Sequence, residues 1–340
     1  MSQLKLKILV TRTDRMGDAL LCLPTLCYLR KALPDAEIHF LAKPEIGSLL
    51  AGFMRDHYIK PIEVELKQSS LLQEALKAER YRVGLFLYPE WELLSASFLA
   101  RVPKRVAPLS KWWSFLLVNH GVRQNRSRLE KNEGEYNLDL AKYVVSKVVK
   151  SKETPTVPAL EIPLHPVGAK RAREILNEKH ITTDFILLHP GMGGSALNLD
   201  ADAYASWIPE LESQYSMPVV LSKGPAEKDH ELVEKILKER PDQKVLSNLK
   251  LPELMECLRL AKLVVAPSTG PLHLAHYVGT DTLGVYSPQG TERPERWAPW
   301  GGTGRSRILL ADAVDKRLRL GSWREKLIQS KMPEPVGALS

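Results

Sequence analysis

Four charged side chains crowd one short polar turn near the amino terminus. Arg12, Asp14, Arg15 and Asp18 follow the apolar run Ile8-Leu9-Val10, and a helical pattern opens at Asp18. Ligands of open α/β sheets bind at the carboxyl ends of strands, so this turn is expected to face a ligand. A carboxylate there can act as general base toward an attacking hydroxyl, a role worth about 10² to 10⁴ in rate. The alternative is that Asp18 only caps its helix.

Two glycine-rich turns in the second half are candidate contacts for a nucleotide. His189-Pro190-Gly191-Met192-Gly193-Gly194-Ser195 would let backbone amides approach a phosphate, although it is neither a Walker loop nor a dinucleotide fingerprint. In the second turn, Gly224 is followed by Glu227, whose carboxylate could accept hydrogen bonds from ribose hydroxyls. The alternatives are a glycine turn without a ligand and a glutamate that only favours the positive end of its helix.

A third turn, Ser268-Thr269-Gly270-Pro271-Leu272-His273, resembles a helix start with proline in the first turn. Ser268 or Thr269 could cap that helix, and its free N–H groups with the helix dipole would suit a diphosphate. His273 could donate a hydrogen bond to a phosphoryl oxygen. The competing interpretation of His273 is a structural histidine.

Short apolar runs that alternate with helical patterns are expected to position these turns, which is typical of parallel sheets built from βαβ units. The first helix, Asp18 to Leu33, contains Pro24, so a kink or a delayed start is expected. The other helices are expected at 136–149, 201–215, 227–239, 252–260 and 271–278. The predicted strands are 7–11, 37–42, 61–66, 82–87, 105–108, 185–189, 218–222, 244–246, 263–266, 282–286 and 307–311.

The domain organisation follows from this alternation, which restarts after a proline-rich stretch at 151–166. We expect two α/β domains, at 1–155 and 156–314, that face each other across a cleft. A basic helix with a polar tail is expected at 315–340.

Composition limits the classes of protein that the chain could be. It has 340 residues, a net charge of +8 and three cysteines without metal-ligand spacing. No apolar run is long enough to span a bilayer and no apolar signal core follows Met1, so a cytoplasmic location is expected. The positive charge favours an anionic partner, namely nucleic acid, an acidic membrane or a phosphorylated ligand, or else merely supports solubility.

The basic residues concentrate in one aromatic segment, 101–131, which contains a single acid, Glu130. Trp112 and Trp113 lie within it, and indoles beside basic groups suit the interface of an anionic membrane. A buried helix with a solvated basic edge is the alternative. The basic side chains of the segment are Arg101, Lys104, Arg105, Lys111, Arg123, Arg126, Arg128 and Lys131.

Taken together, these motifs resemble the heptosyltransferase-like glycosyltransferases of family 9, which build the inner core of bacterial lipopolysaccharide. The resemblance covers nearly the whole chain, with six motifs in order. They are 11–18 with Pro24, Asn137-Leu138-Asp139-Leu140, 189–195, Gly224-Pro225 with Glu227, 268–275, and Ser287-Pro288 with Arg296-Trp297 and Pro299.

The resemblance implies a GT-B fold, in which two Rossmann-like domains hold the acceptor (amino-terminal) and the nucleotide-sugar (carboxy-terminal). It implies inverting transfer, with Asp18 at the position of the catalytic base. Residues 268–273 match the segment that holds the diphosphate, Glu227 lies near the ribose, and Leu249 lines the base pocket. The implied terminal helix crosses back to the first domain. The implied donor-binding set is His189, Gly191, Gly193, Gly194, Ser195, Gly224, Glu227, Leu249, Ser268, Thr269, Gly270 and His273.

The predicted reaction is transfer of heptose or a related sugar from an ADP-sugar to an anionic lipopolysaccharide-type glycolipid at the cytoplasmic face of the inner membrane. Arg12, Asp14 and Arg15 are the expected acceptor contacts. No tightly bound cofactor and no protein-held metal are expected, and a requirement for a divalent cation such as Mg²⁺ stays open.

Two departures from the family pattern keep alternatives open. Ser268 replaces a usual Asp, and Leu197 replaces a usual Lys that would neutralise donor phosphate unless Lys223 or Arg296 substitutes. The alternatives are a GT-B enzyme that uses a UDP-sugar and a non-catalytic relative that binds only nucleotide or glycolipid. No motif supports a nucleic-acid binder, and an NAD-dependent dehydrogenase would need a glycine fingerprint after the first strand.

Overall fold

The structure is a computed structural model that describes residues 5–62, 69–192, 198–287, 290 and 292–310. The chain divides into two compact units, Met1–Pro158 and Ala159–Ser340. The sequence analysis put the boundary close by, between residues 155 and 156. The predicted helix and tail at 315–340 lie outside the described residues.

Unit 1 is built on a parallel sheet in the order β3-β2-β1-β4-β5-β6. This is the strand order of a Rossmann sheet. All its strands are parallel, and the order in which they are added reverses between β1 and β4, which is the switch point of the sheet. β1 occupies the predicted residues, and its strand is buried because both faces of a doubly wound sheet are covered by helices. The strands are β1 Lys7–Thr11, β2 Glu37–Leu41, β3 Ile59–Ile62, β4 Val83–Phe86, β5 Lys104–Pro108 and β6 His120–Val122.

The first predicted helix is in fact two helices. Helix α1 starts at Met16, with Arg15 as its N-cap residue, and ends at Leu20, before the proline. A second helix starts at Leu23 because Pro24, which cannot donate an N–H, fits the first turn of a helix. The helices of unit 1 are α1 Met16–Leu20, α2 Leu23–Ala32, α3 Pro44–Leu49, α4 Ala51–Asp56, α5 Ser69–Glu79, α6 Trp91–Leu99, α7 Ser114–Leu117 and α8 Glu133–Tyr143.

Helix α8 starts earlier than the sequence analysis predicted, because a capping box fixes its first turn. The Asn132 side chain accepts from the N–H of Gly134 at 2.9 Å, and the Glu135 carboxylate accepts from the N–H of Asn132 at 2.8 Å. The last part of the predicted helix, Val144–Val149, is a π-helix. The early start brings Glu133 and Asn137 onto one turn of a regular helix.

Unit 2 repeats the same strand order, β12-β11-β10-β7-β8-β9, with its switch point between β7 and β10. Its helices are α9 Pro166–Glu178, α10 Ala201–Tyr215, α11 Glu227–Glu239, α12 Leu251–Leu260, α13 Gly270–Tyr277 and α14 Pro294–Trp297. Helix α9 was not predicted. The strands of unit 2 are β7 Ile186–Leu188, β8 Val219–Ser222, β9 Val245–Leu246, β10 Leu263–Pro267, β11 Asp281–Tyr286 and β12 Ser306–Leu310.

Each unit has its own hydrophobic core. In unit 2, the buried rings of Tyr204 and Trp207 pack among the aliphatic side chains of β7, β8 and β10. In unit 1, Leu9 and Phe86 pack with Leu93, Leu94 and Leu117. Across the described ranges, no helix is long and apolar enough to cross a bilayer.

Candidate functional site

The predicted catalytic turn lies at the switch point of the unit 1 sheet. The carboxyl ends of β1 and β4 meet there, since the N–H of Leu87 donates to the carbonyl of Thr11 at 3.2 Å. Just beyond them, the hydroxyl of Thr13 donates to the carboxylate of Glu90. The structure therefore brings the turn after β1 and the turn after β4 together in one crevice, where open α/β sheets bind ligands.

Arg12 lies buried under this crevice and binds carboxylates on three sides. Its guanidinium donates to Asp14 at 2.8 Å, to Asp18 at 2.5 Å and to Glu133 at 3.1 Å. The paired carboxylates raise the pKa of Arg12 against the opposing effect of burial, so its positive charge is permanent. Only 3% of the residue is exposed, and its visible role is to hold these acids. Its predicted contact with an acceptor stays a prediction.

Asp18 is a partly exposed member of the group of carboxylates that Arg12 binds. It is the third residue of α1, whose N-cap residue is Arg15, so the alternative of an N-cap role for Asp18 is wrong. Burial raises the pKa of Asp18 to about 6, while the charge of Arg12 opposes that shift. Because 12% of its side chain stays exposed, a ligand can reach a carboxylate whose pKa lies near neutrality. These are the properties of a general base.

Helix α8 supplies the supporting residues that the sequence analysis did not assign. Glu133 is buried and pairs with both Arg12 and Arg126. Asn137, which was noted only as part of a motif, lies 3.5 Å from the Arg12 guanidinium and donates to the Cys22 thiol at 3.6 Å. The missed signal is a polar pair, four residues apart, on the buried side of a helix. Burial raises the pKa of Cys22 far above its ordinary value, so its thiol stays protonated.

The other two predicted acceptor contacts occupy different positions in this crevice. Asp14 is half-buried and pairs with Arg12. Arg15 is exposed at the start of α1. The structure thus groups Arg12, Asp14 and Asp18 in one ion-pair network and leaves Arg15 at the surface.

The predicted donor turns converge at the switch point of unit 2. His189 follows β7, and its N–H donates to the carbonyl of Val265 in β10 at 2.9 Å. Its buried imidazole shares a 2.9 Å hydrogen bond with the Ser222 hydroxyl at the end of β8. Burial lowers the pKa of His189 to about 4, partly opposed by the charge of Asp229, so the ring is neutral at physiological pH.

Asp229, which the sequence analysis missed, explains why two of the turns need glycine. Its buried carboxylate accepts from the N–H of Met192 at 3.0 Å. A Cβ atom at Gly191 would lie 2.5 Å from the Asp229 carboxyl carbon, and one at Gly224 would lie 2.4 Å from a carboxylate oxygen. Both glycines therefore permit the close approach of Asp229. The signal in the sequence was an acid one turn beyond Gly224.

The third turn leads into helix α13, which begins at Gly270, one residue before the predicted start, and has no side-chain cap. Thr269 occupies the N-cap position, yet its hydroxyl donates back to the carbonyl of Pro267 at 3.1 Å. Ser268 lies near the buried Tyr286 hydroxyl, which itself donates to the carbonyl of Trp297 at 2.9 Å. The predicted cap is therefore wrong, and the first N–H groups of α13 lack a side-chain acceptor from its N-cap residue.

His273 lies one turn into α13 and is 3% exposed. Burial, with a smaller effect of His276, lowers the pKa of His273 to about 3, so its imidazole is neutral. Its Nδ1 atom has no hydrogen-bond partner among the described residues. A buried polar atom without a partner is costly, so this histidine is ready to bond a ligand atom.

The remaining predicted donor contacts are more exposed or lie outside the described residues. Glu227 is exposed at the first residue of α11, a position that fits both the ribose contact and the helix-dipole alternative. Leu249 is half-buried between β9 and α12. Gly193, Gly194, Ser195 and Leu197 lie outside the described residues. Over the described ranges, no group of three metal-ligating side chains converges, and the Mg²⁺ requirement stays untested.

Comparison with known proteins identifies the family of the chain that contains these two switch points. The sequence profile described as Glycosyltransferase family 9 (heptosyltransferase) matches residues 72–313. The chain belongs to glycosyltransferase family 9. It is 32% identical over 307 residues to a Haemophilus influenzae protein provisionally assigned as a glycosyltransferase, and the match covers 86% of each chain. The family resemblance stated from the motifs is confirmed.

Solved structures confirm the family 9 fold. The Escherichia coli ADP-heptose lipopolysaccharide heptosyltransferase II structure matches with a TM-score of 0.72 and 18% identity, covering 95% of this chain and 99% of that one. E. coli heptosyltransferase WaaC with ADP matches at 0.67 and 15%, with the same coverage. At these identities the match shows the fold alone, and the predicted α/β GT-B class is confirmed. WaaC has also been solved with ADP-2-deoxy-2-fluoro heptose.

Proposed function

We propose that this family 9 protein is an inverting glycosyltransferase that moves heptose or a related sugar from an ADP-sugar to an anionic lipopolysaccharide-type glycolipid. The observation that carries the proposal is the Asp18 carboxylate, which is partly exposed, has a pKa of about 6 and is held by a buried arginine. In this proposal the reaction takes place at the cytoplasmic face of the inner membrane.

Asp18 would accept the proton of the acceptor hydroxyl as that oxygen attacks the anomeric carbon of the donor sugar. The bond between the anomeric carbon and the diphosphate breaks in the same displacement, and the configuration at the anomeric carbon inverts. Arg12 keeps Asp18 ionised near neutral pH, since its permanent charge opposes the effect of burial. Arg12, Asp14 and Arg15 remain the proposed acceptor contacts.

Unit 2 would bind the nucleotide diphosphate by uncharged donors. The first N–H groups of α13 lie at the positive end of the helix dipole, which stabilises a departing diphosphate. The Nδ1 atom of His273, which has no hydrogen-bond partner in the described part of the chain, is a second feature suited to a ligand. The ligands of the two WaaC structures, ADP and ADP-2-deoxy-2-fluoro heptose, support an adenine nucleotide here. The Mg²⁺ requirement is left to experiment.

The experiment that tests the donor is thermal stability in the presence of ADP, UDP, GDP and NAD at matched concentrations. A ligand at about 100 times its dissociation constant adds roughly 2.7 kcal/mol to the folded state. We expect stabilisation by ADP alone. Stabilisation by UDP alone would move the donor to a UDP-sugar, and no stabilisation by any nucleotide would contradict the proposal.

A non-catalytic relative is the second candidate, because Ser268 replaces the usual family Asp. This candidate predicts stabilisation by ADP without release of ADP from an ADP-sugar when acceptor is present. The transferase proposal predicts both stabilisation and release.

A further inference from the structure

Unit 1 exposes large apolar side chains on two neighbouring helices, α6 and α7, and on the turn that leads into α7. Trp112 is 81% exposed and Phe115 is 62% exposed. Apolar side chains concentrated on one exposed surface mark an interaction site more often than scattered ones do. We call this the α6–α7 surface, defined by Trp91, Phe98, Leu99, Trp112, Phe115 and Leu116.

The α6–α7 surface is a fixed part of the fold. The rings of Trp91 and Trp113 meet edge to face at 5.4 Å, which joins the starts of the two helices. At their other ends, the Arg105 guanidinium lies 5.1 Å from the Phe98 ring centroid and donates to the carbonyl of Leu117 at 2.6 Å. The surface is therefore pre-organised, and little ordering entropy opposes its binding to a partner.

The charges around this surface have one dominant sign. From the N-cap residue of α6 to residue 119 the chain carries four basic residues and two acids, the half-buried Glu90 and the exposed Glu92. Arg101, Lys104 and Lys111 are exposed, and Arg105 is half-buried. Tryptophan beside lysine and arginine is the composition that favours the headgroup region of an anionic bilayer.

The surface continues directly into the crevice that contains Asp18. The Tyr88 ring has the Arg12 guanidinium 5.7 Å from its centroid and the Lys111 ammonium 5.6 Å from it. Glu90, which accepts the Thr13 hydrogen bond, is the N-cap residue of α6. The base and the α6–α7 surface therefore share the turn after β4.

We propose that the α6–α7 surface docks on an anionic phospholipid bilayer and holds the Asp18 crevice at the lipid surface. The bilayer fits better than a second copy of the chain, because two such faces would bring like charges together. Docking itself stands on the surface described here. Its purpose, to bring Asp18 to a lipid-borne acceptor, rests on the proposed transferase function.

The test is co-sedimentation of the full chain with vesicles of phosphatidylcholine alone and of equal parts phosphatidylglycerol and phosphatidylcholine. We expect binding to the mixed vesicles only. Removal of two charges in Lys104→Gln/Lys111→Gln should weaken it by about 30-fold at low salt, roughly fivefold for each charge. Trp112→Ser/Phe115→Ser should reduce binding strongly at both low and high salt, because salt screens only the charges.

Two matched controls show whether the effect belongs to this surface. Tyr58→Ser removes an aromatic side chain that is 80% exposed just before β3, at the opposite edge of the same sheet. Lys170→Gln/Lys238→Gln removes two exposed charges in unit 2. Both should bind vesicles like the parent chain.

Three results would overturn the docking proposal. They are equal binding to both vesicle types, loss of binding in the controls to the same extent, and no binding to the mixed vesicles. If a dimer that Trp112→Ser/Phe115→Ser dissociates accompanies the last result, the surface binds a second copy of the chain instead. Vesicle binding is measured without nucleotide, so a failure of the transferase proposal appears in the nucleotide and transfer assays alone.

Discussion

The two units place their candidate residues at the same topological position, the switch point of a six-stranded parallel sheet. The side chains at the two switch points differ in charge. At the switch point of unit 1, Arg12 is buried among ionised partners, and Asp18 keeps a pKa near neutrality. At the switch point of unit 2, His189 and His273 are buried and neutral.

The comparison teaches how one repeated strand order can present two different electrostatic environments at its switch points. A general base must change its charge in use, so it needs a compensating charge nearby. A group that releases an anion needs fixed dipoles that cost no reorganisation, which neutral rings and helix N–H groups provide. The predictions below test whether the two switch points differ in this way.

The largest expected effect is on the charged switch point. Asp18→Asn keeps the shape of the side chain but removes the base, so the rate of transfer should fall by about 10² to 10⁴. Stabilisation by ADP should be retained, because the nucleotide contacts are proposed for unit 2. Equal loss of ADP binding and transfer would mean that Asp18 acts on the structure and not on the acceptor.

Removal of Arg12 should destabilise unit 1 more than any other single substitution at its switch point. Arg12→Met leaves buried carboxylates without their partner, which costs about 3 to 5 kcal/mol in the free energy of unfolding. The pKa of Asp18 should also rise, because its opposing charge is lost, and the acid limb of the rate profile should move to higher pH.

Arg15→Met is the matched control for Arg12→Met, because Arg15 is exposed and belongs to the same turn. Denaturant titration should show its stability near that of the parent chain. Similar losses of stability in the two variants would contradict the buried network as the source of the effect.

At the neutral switch point, a single methyl group should disturb the donor turns. Gly224→Ala places a Cβ atom 2.4 Å from the Asp229 carboxylate, which should cost about 1 to 3 kcal/mol and weaken stabilisation by ADP. Gly47→Ala is the control: it lies in α3 with no atom within 4 Å and should gain about 0.5 to 1 kcal/mol. Unchanged stability of Gly224→Ala would refute the close approach of Asp229.

Acid should destabilise the switch point of unit 2 more than that of unit 1. The pKa of His189 is lowered to about 4 and that of His273 to about 3, so the unfolded chain binds protons first and unit 2 loses stability as the pH falls below about 6.5. The loss is about 2 kcal/mol per histidine by pH 5. Asp18, whose pKa is raised, binds its proton in the folded state first, so it adds no such loss in unit 1.

Hydrogen exchange of each unit, corrected for the intrinsic effect of pH on exchange, measures this difference. Protection should fall in β7 and α13 between pH 7 and pH 5 and change less in β1 and α1. The reverse order would contradict the pKa directions assigned to the two switch points.

The sequence predicted the elements that local patterns determine. The bounds of β1, α10 and α11 agree with the prediction, because apolar runs and helical periodicity mark them without help from distant residues. The short strand β6, with its half-buried residues, lacks such a run and was missed.

The contacts that shape the sites depend on residues far apart in the chain. Glu133 meets Arg12 across 121 positions, and Asp229 meets Met192 across 37. Local spacing does not reveal such pairs. Arg12 was therefore interpreted only as an acceptor contact, without its buried partners, and Asp229 was not considered. The positions of Asp18 and His273, in contrast, follow from the strand-turn-helix pattern that the sequence does display.

The measurement that tests the central claim most directly is ADP release from ADP-heptose, with and without a lipid-linked, anionic lipopolysaccharide-core acceptor. The account predicts release that requires acceptor, rises with pH through about 6 and is lost in Asp18→Asn, while ADP still stabilises that variant. Stabilisation of the parent chain by ADP without any acceptor-dependent release would contradict it.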